Sequence, residues 1–209
     1  MKNKPTTVLL FLKAPRPGFV KTRLAKSIGD DQACAVYRLL VKRTLSQIPP
    51  DWSLRIHFAP AEAQQEMIDW LGPDPHYLPQ PEGDLGHRLE TACEQAFNDK
   101  PSHGIILLGG DCPALTTAHL QECATHLAEK KPVIGPSEDG GYWLLGLHQP
   151  HPELFRNVAW STPDVLPTTL HRFSEKSENP HCLQTLADVD DLDSWQEAQN
   201  LLDLDLNNL

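Results

Sequence analysis

What this chain has little of narrows its function before any motif is read. Positive charge is scarce: 18 Lys and Arg against 28 Asp and Glu leave a net charge of -10. Nucleic acids and anionic membranes are bound through a broad basic face, so neither is an expected partner. Long apolar runs are lacking too, and the N-terminal one, Val8 to Leu12, is far too short for a membrane span or a signal-peptide core. No membrane insertion is expected. The five cysteines form no Cys-x-x-Cys pair and have no His nearby at zinc spacing, which argues against a disulfide framework or a zinc finger. They read as reduced, mostly buried thiols of a cytoplasmic protein. Internal repeats, low-complexity tracts and linkers are absent, so residues 1–209 read as a single domain.

What is present is ordinary in amount and uneven in placement. Hydrophobic residues at 40% and charged residues at 22% suit a globular protein, and the 19 prolines fall mostly between predicted elements, giving a loop-rich, enzyme-like surface. Residues 1–29 carry seven bases (Lys2, Lys4, Lys13, Arg16, Lys21, Arg23, Lys26) and no acid. Residues 188–209 carry seven acids (Asp188, Asp190, Asp191, Asp193, Glu197, Asp203, Asp205) and no base. If the fold brings both ends to one cleft, a phosphate-binding end meets a cation-binding end.

The anchor of the chain is Ile105-Ile106-Leu107-Leu108-Gly109-Gly110-Asp111-Cys112-Pro113. Four consecutive aliphatic residues read as a short strand buried on both faces of a parallel sheet. Two glycines then permit a sharp turn, and Pro113 ends the ladder. A carboxylate in that place sits where open α/β sheets bind ligands. Asp111 is therefore either a metal ligand, in the manner of Mg²⁺ or Mn²⁺ sites completed by substrate phosphates, or a helix cap. Thr116 or Thr117 suits the cap better. Cys112 is a poor nucleophile, because the adjacent carboxylate raises its thiol pKa.

Around that anchor, strands and helices alternate. Thr6–Leu12 reads as a central strand running into Lys13-Ala14-Pro15-Arg16-Pro17-Gly18-Phe19-Val20-Lys21-Thr22-Arg23, a stiff loop whose bases and free amides suit a phosphate. A Walker A loop is excluded, since Val20 and Pro15 stand where that motif needs glycine. A helix follows from Asp30 to about Gln47, then a strand at Leu54–Phe58, a helix at Ala61–Leu71, and a short strand at His76–Gln80. Gln80-Pro81-Glu82-Gly83-Asp84-Leu85-Gly86-His87-Arg88 allows close approach by a planar ligand, and Arg88 opens a helix to about Phe97. After the anchor strand come a helix at Thr117–Lys130 and a strand ending in the acidic turn Ser137-Glu138-Asp139-Gly140-Gly141. A strand from Tyr142 leads away from that turn. Asp139 is either turn chemistry or a substrate contact, with Gly140 and Gly141 leaving room beside Tyr142 for a sugar or a base. Trp160-Ser161-Thr162-Pro163 caps a helix through Leu170, and His181–Leu186 reads as an edge strand. Asp188 and Asp190 alternate on extended backbone and so point one way, while Asp191 or Asp193 suits a helix N-terminus. The order implies a three-layer α/β/α sandwich around a mostly parallel sheet.

Five segments carry a resemblance: Lys13–Ala25, Gly83–Arg88, Leu108–Leu115, Gly135–Leu147 and Asp188-Val189-Asp190. Together they resemble the GT-A superfamily of nucleotide-diphospho-sugar transferases, and within it a bacterial family of GT-A-like proteins catalogued as a domain of unknown function. The resemblance covers nearly the whole chain. It implies a Rossmann-like GT-A fold, phosphate contacts from Lys13, Lys21 and Arg23, and nucleobase recognition near Gln80, Gly83 and Asp84. It implies Mg²⁺ or Mn²⁺ at Asp111 with Asp190 or Asp188 assisting, and an acceptor region at Asp139, Gly140 and Gly141. The chain is less similar to guanylyltransferases of deazaflavin cofactor biosynthesis, whose Asp-Gly-Gly turn continues Thr-Asn where this chain has Tyr142-Trp143. It also has one aspartate after Gly110 in place of the Asp-x-Asp of many glycosyltransferases.

The expectation is a metal-dependent transferase that binds a nucleotide or nucleotide-sugar donor and a small-molecule acceptor. Asp111 holds the metal and Asp139 orients or deprotonates the acceptor. Glycosyl transfer and pyrophosphate-releasing nucleotidyl transfer both fit. The dense bases suit a triphosphate; the family label and Tyr142-Trp143 incline the choice to glycosyl transfer. A non-catalytic nucleotide-binding protein is the third reading.

Overall fold

A computed structural model describes residues 6–99 and 104–202. Lys2, Lys4, Asp203 and Asp205, counted above in the charge asymmetry, lie outside the described residues. Seven strands form one sheet: β1 (Thr7–Lys13), β2 (Ser53–Ala59), β3 (His76–Pro79), β4 (Ile105–Leu108), β5 (Val133–Pro136), β6 (Tyr142–Leu147) and β7 (His181–Cys182). Among the described residues seven α-helices accompany them: α1 (Thr22–Ile28), α2 (Asp30–Gln47), α3 (Gln64–Leu71), α4 (Leu85–Asp99), α5 (Thr117–Ala128), α6 (Val165–Glu175) and α7 (Leu192–Leu202).

The sheet order is β3-β2-β1-β4-β6-β5-β7, and only β6 runs against the rest. From β1 the chain builds outward to β2 and β3, then returns to place β4 on the other side of β1. Doubly wound sheets open a crevice at such a reversal, at the carboxyl ends of the two strands concerned. Here those ends are Lys13 and the Gly109-Gly110-Asp111 turn.

The unbroken apolar runs of β1 and β4 follow from burial on both faces. Val8, Leu10, Leu12, Ile106 and Leu108 join one core cluster, whereas Leu9, Ile105 and Leu107 join the other, with Leu89, Phe155 and Phe173. A third cluster packs Leu24, Val36 and Leu40 against Val189 and Trp195, and so fastens α7 to α1 and α2.

Three local features differ from expectation. The basic loop gives way to a separate helix, α1, and Gly29 at φ +85° turns the chain from it into α2. Helix α4 starts three residues before Arg88, because the Asp84 carboxylate caps it by accepting the His87 amide hydrogen at 2.8 Å. The edge strand β7 has only two residues, with one further bridge at Leu186. Thr116 caps α5 in a reciprocal box with His119, which releases Asp111 from that role.

Candidate functional site

Lys21 is where the basic start of the chain meets its acidic end. It precedes α1 in the left-handed region, at φ 47° and ψ 45°, a conformation that costs a non-glycine residue energy and that turns its side chain inward. That side chain is 7% exposed, and Nζ donates to Asp111 Oδ2 at 2.9 Å and to Asp190 Oδ1 at 3.5 Å. Burial alone would lower the ammonium's pKa, but the charges and hydrogen bond of Asp111, with Asp190 and Asp188, hold it above the ordinary value.

Backbone contacts bring the acids together. The Val189 amide donates to the Asp111 carbonyl at 3.0 Å, which pins Asp188 and Asp190 on either side of the β4 turn. Asp190 Oδ2 also accepts from Arg23 Nη1 at 3.3 Å. Asp188 points the other way, into a buried niche where its Oδ2 accepts the Ser137 hydroxyl at 3.0 Å and its Oδ1 has no partner. Burial, then the charge of Asp111, pushes its pKa up to about 7, against the pull of Ser137 and Lys21. Asp191, next in sequence, turns away and caps α7 by accepting the Ser194 amide hydrogen at 3.0 Å.

Lys21, Arg23, Asp111 and Asp190 line a cleft of about 570 Å³ that also takes in Lys13, Gln80, Arg88, Asp139, Ser161 and Thr162. A neighbouring chamber of about 260 Å³ shares Phe11, Leu85, Gly109, Asp139, Ser161 and Thr162 with it. The chamber is walled mainly by Leu89, Leu107, Tyr142, Trp143, Trp160 and Val165, and Ser137 and Asp188 stand at its polar side. The two form a charged room opening on an apolar one.

Each expected site residue has a definite place. Lys13, Lys21, Arg23, Asp111 and Asp190 meet at the cleft. Asp139 borders both cavities, and its Oδ1 accepts the Gly141 amide hydrogen at 2.9 Å. Gly140, at φ +88°, packs so tightly on Pro163 that an added Cβ would lie 2.6 Å from that residue's Cα; its carbonyl accepts the Leu166 amide hydrogen, tying the acidic turn to α6. Tyr142 lines the chamber with its hydroxyl buried, and burial raises its pKa. Gln80 lines the cleft, but its amide nitrogen donates to the carbonyls of Leu12 and His57 at 3.1 and 2.8 Å, and its oxygen accepts from Arg88. Gly83 and Asp84 form the start of α4, where the Gly83 carbonyl accepts from Arg88 Nε.

Sequence reasoning missed Ser137 as the partner of Asp188, Tyr37, whose hydroxyl clamps the Lys13 backbone, and Arg88 as a cleft residue. It also overcounted the bases, since Arg16 is bound to Glu66 at 2.9 Å and to Glu62 at 3.5 Å. The thiol of Cys112 is buried beside Asp188 and Asp111 and its pKa is raised, as expected of a non-nucleophile.

Residues 44–162 match the model of an "uncharacterized protein conserved in bacteria" family, DUF2064. This chain belongs to that family. The chain is 31% identical to a candidate nucleotide-diphospho-sugar transferase from Desulfovibrio desulfuricans G20, over 89% of this chain and 82% of that one, with a TM-score of 0.84. More distant structures share the fold alone. The inositol-1-phosphate CTP transferase from T. maritima is 11% identical with a TM-score of 0.56, covering 94% of this chain and 96% of that one. Rv0371c from Mycobacterium tuberculosis H37Rv, in complex with manganese, is 16% identical with a TM-score of 0.54, covering 93% and 98%. No curated protein matches the chain.

Proposed function

We propose that this protein is a nucleotide-dependent transferase whose donor is a nucleotide-diphospho-sugar and whose acceptor is seated in the apolar chamber. The observation that carries the reading is the meeting of Asp111, Asp190 and Lys21 at the carboxyl edge of β1 and β4, beside Lys13 and Arg23. That arrangement offers bases to a diphosphate and carboxylates to a cation in one crevice.

The residues fit a divalent ion of the Mg²⁺ or Mn²⁺ kind. Two carboxylates already converge on one positive charge, the Lys21 ammonium, and the buried Asp188 Oδ1 close by lacks a partner. Such hard cations take carboxylate oxygens together with substrate phosphates. Asp111 and Asp190 would hold the ion, and the ion would neutralise charge on the departing phosphate oxygen. Lys13, Lys21 and Arg23 bind the phosphates and hold the donor in place. Asp139, at the junction of cleft and chamber, takes the acceptor hydroxyl's hydrogen bond and then its proton as that oxygen bonds to the sugar carbon. The sugar–phosphate bond breaks with its electron pair going to the nucleoside diphosphate. Aromatic and aliphatic walls around the acceptor keep water from competing for the sugar.

Nucleotidyl transfer is the second reading, favoured by the bases Lys13, Lys21, Arg23 and Arg88 along one cleft. Engagement of Arg16 by glutamates thins the cationic loop and favours the diphosphate donor. Incubation with nucleotide sugars and with nucleoside triphosphates, each with and without Mn²⁺, separates the two. Nucleoside diphosphate release supports glycosyl transfer; pyrophosphate release replaces it with nucleotidyl transfer. No turnover of either class, with nucleotide binding retained, would leave a binding protein.

A further inference from the structure

At the β7 edge of the sheet, three side chains with metal-binding chemistry come together outside both cavities. Glu122 and His126 stand four residues apart on α5, on one helical face. His181 begins β7, and its ring lies against that of His126, with centroids 3.8 Å apart. His181 Nε2 is 2.8 Å from Glu122 Oε1. One ligand atom from each residue lies within 4.8 Å of the others, the only such trio of His, Cys, Asp or Glu among the described residues. Glu129 Oε2 adds a second carboxylate 3.7 Å from His126 Nδ1. All three side chains reach solvent, so an ion can enter without opening the fold.

We infer that Glu122, His126 and His181 bind a borderline transition-metal dication, with Zn²⁺ the best fit. Two imidazoles and one carboxylate suit zinc, whereas Mg²⁺ prefers an all-oxygen shell. Three protein ligands leave the fourth tetrahedral position to water. The ion takes the place of the proton now shared between His181 Nε2 and Glu122 Oε1; that proton leaves to solvent or moves to Nδ1. Its effect is a clip. Strand β7 is held to β5 through just two register positions, and it begins the run of chain that ends at Asp188 and Asp190. Joining β7 to α5 through a metal fastens the start of that run, and binding to the folded state alone raises stability by mass action.

The test is calorimetric titration of the full chain with ZnCl₂, with Co²⁺ absorption as a spectroscopic reporter and circular dichroism as a check on folding. Expected are one equivalent of Zn²⁺ and a Tm rise of roughly 5–10 °C at about 100 times Kd. His181→Ala and His126→Ala should abolish both, Glu122→Gln should weaken binding by about tenfold or more, and Asp111→Asn, in the transferase cleft, should leave Zn²⁺ binding intact. Binding unchanged in folded His126→Ala and His181→Ala, or lost in Asp111→Asn alone, would overturn the assignment.

Discussion

The cleft and the chamber share a rim, yet they are built on opposite principles. In the cleft, Lys13, Lys21, Arg23 and Arg88 face Asp111 and Asp190, and charge is balanced by charge. In the chamber, Leu89, Leu107, Trp143, Trp160 and Val165 make the wall mainly apolar, with Ser137 and Asp188 at its polar side. The difference is one of lining: charged side chains face one another in one room, while in the other the burial of Asp188 and the nearby charge of Asp111 push its carboxyl up to about 7. Asp188 and Asp190, two residues apart, fall on opposite sides of that boundary. A regular extended backbone would have pointed them one way; here the Val189 amide between them is bonded to the Asp111 carbonyl.

The sharpest break in this comparison is removal of the cleft's carboxylate. Asp111→Ala should lower kcat/KM for the transfer by about 10²–10³-fold with the far-ultraviolet circular dichroism unchanged, since it is 38% exposed and supports no core packing. Narrowing the chamber should act on the other substrate. Val165→Phe should raise the acceptor KM by about tenfold and leave the donor KM unchanged in two-substrate kinetics. An equal effect on both KM values would mean that the two rooms do not divide the substrates.

The boundary carboxyl gives a pH signature. Folded Asp188 keeps its proton up to about 7, whereas in the unfolded chain it is lost near 3.8. Its contribution to stability is therefore complete below about pH 4 and is lost as pH rises to 7. Asp188→Asn should raise Tm at pH 8 by roughly 3–6 °C and give no gain at pH 4, as read by thermal denaturation at both pH values. His57, stacked on Phe11 at 5.0 Å beside the chamber wall, should show the reverse. Burial, aided by the Arg55 charge, lowers its pKa to about 4, so the stability it permits is complete above about 6.5 and lost as pH falls through 4. His57→Phe should keep the stack and recover roughly 2–4 °C of Tm at pH 4, the smallest of these effects.

Much of the fold was legible because burial on both sides of a parallel sheet leaves unbroken aliphatic runs. Thr6–Leu12, observed as β1 at Thr7–Lys13, and Ile105–Leu108 were readable as central strands for that reason, and the glycine-rich turn after β4 marked the crevice. The two-residue strand β7 was overextended, because an edge needs little apolar sequence and so leaves little signal. Of the site, Lys13, Lys21, Arg23, Asp111 and Asp190 were named from sequence and lie along one cleft, whereas Asp188, named with them, lines the neighbouring chamber. Ser137 and Tyr37 were not found, since a hydroxyl becomes informative only when its buried partner is known. Gln80 was assigned to a base, yet its amide nitrogen joins β1 and β2 carbonyls, a commitment that no local pattern shows.

The sequence by itself determined the alternation of buried strands and amphipathic helices, because hydrophobic periodicity is a local property of consecutive residues. It determined as well that bases gather at one end and acids at the other. Only the tertiary structure decided that Lys21 reaches Asp111 across 90 positions and Asp190 across 169, while Arg16 is turned aside to Glu66. Charges choose partners by distance and desolvation, and both are set by how the sheet and helices pack.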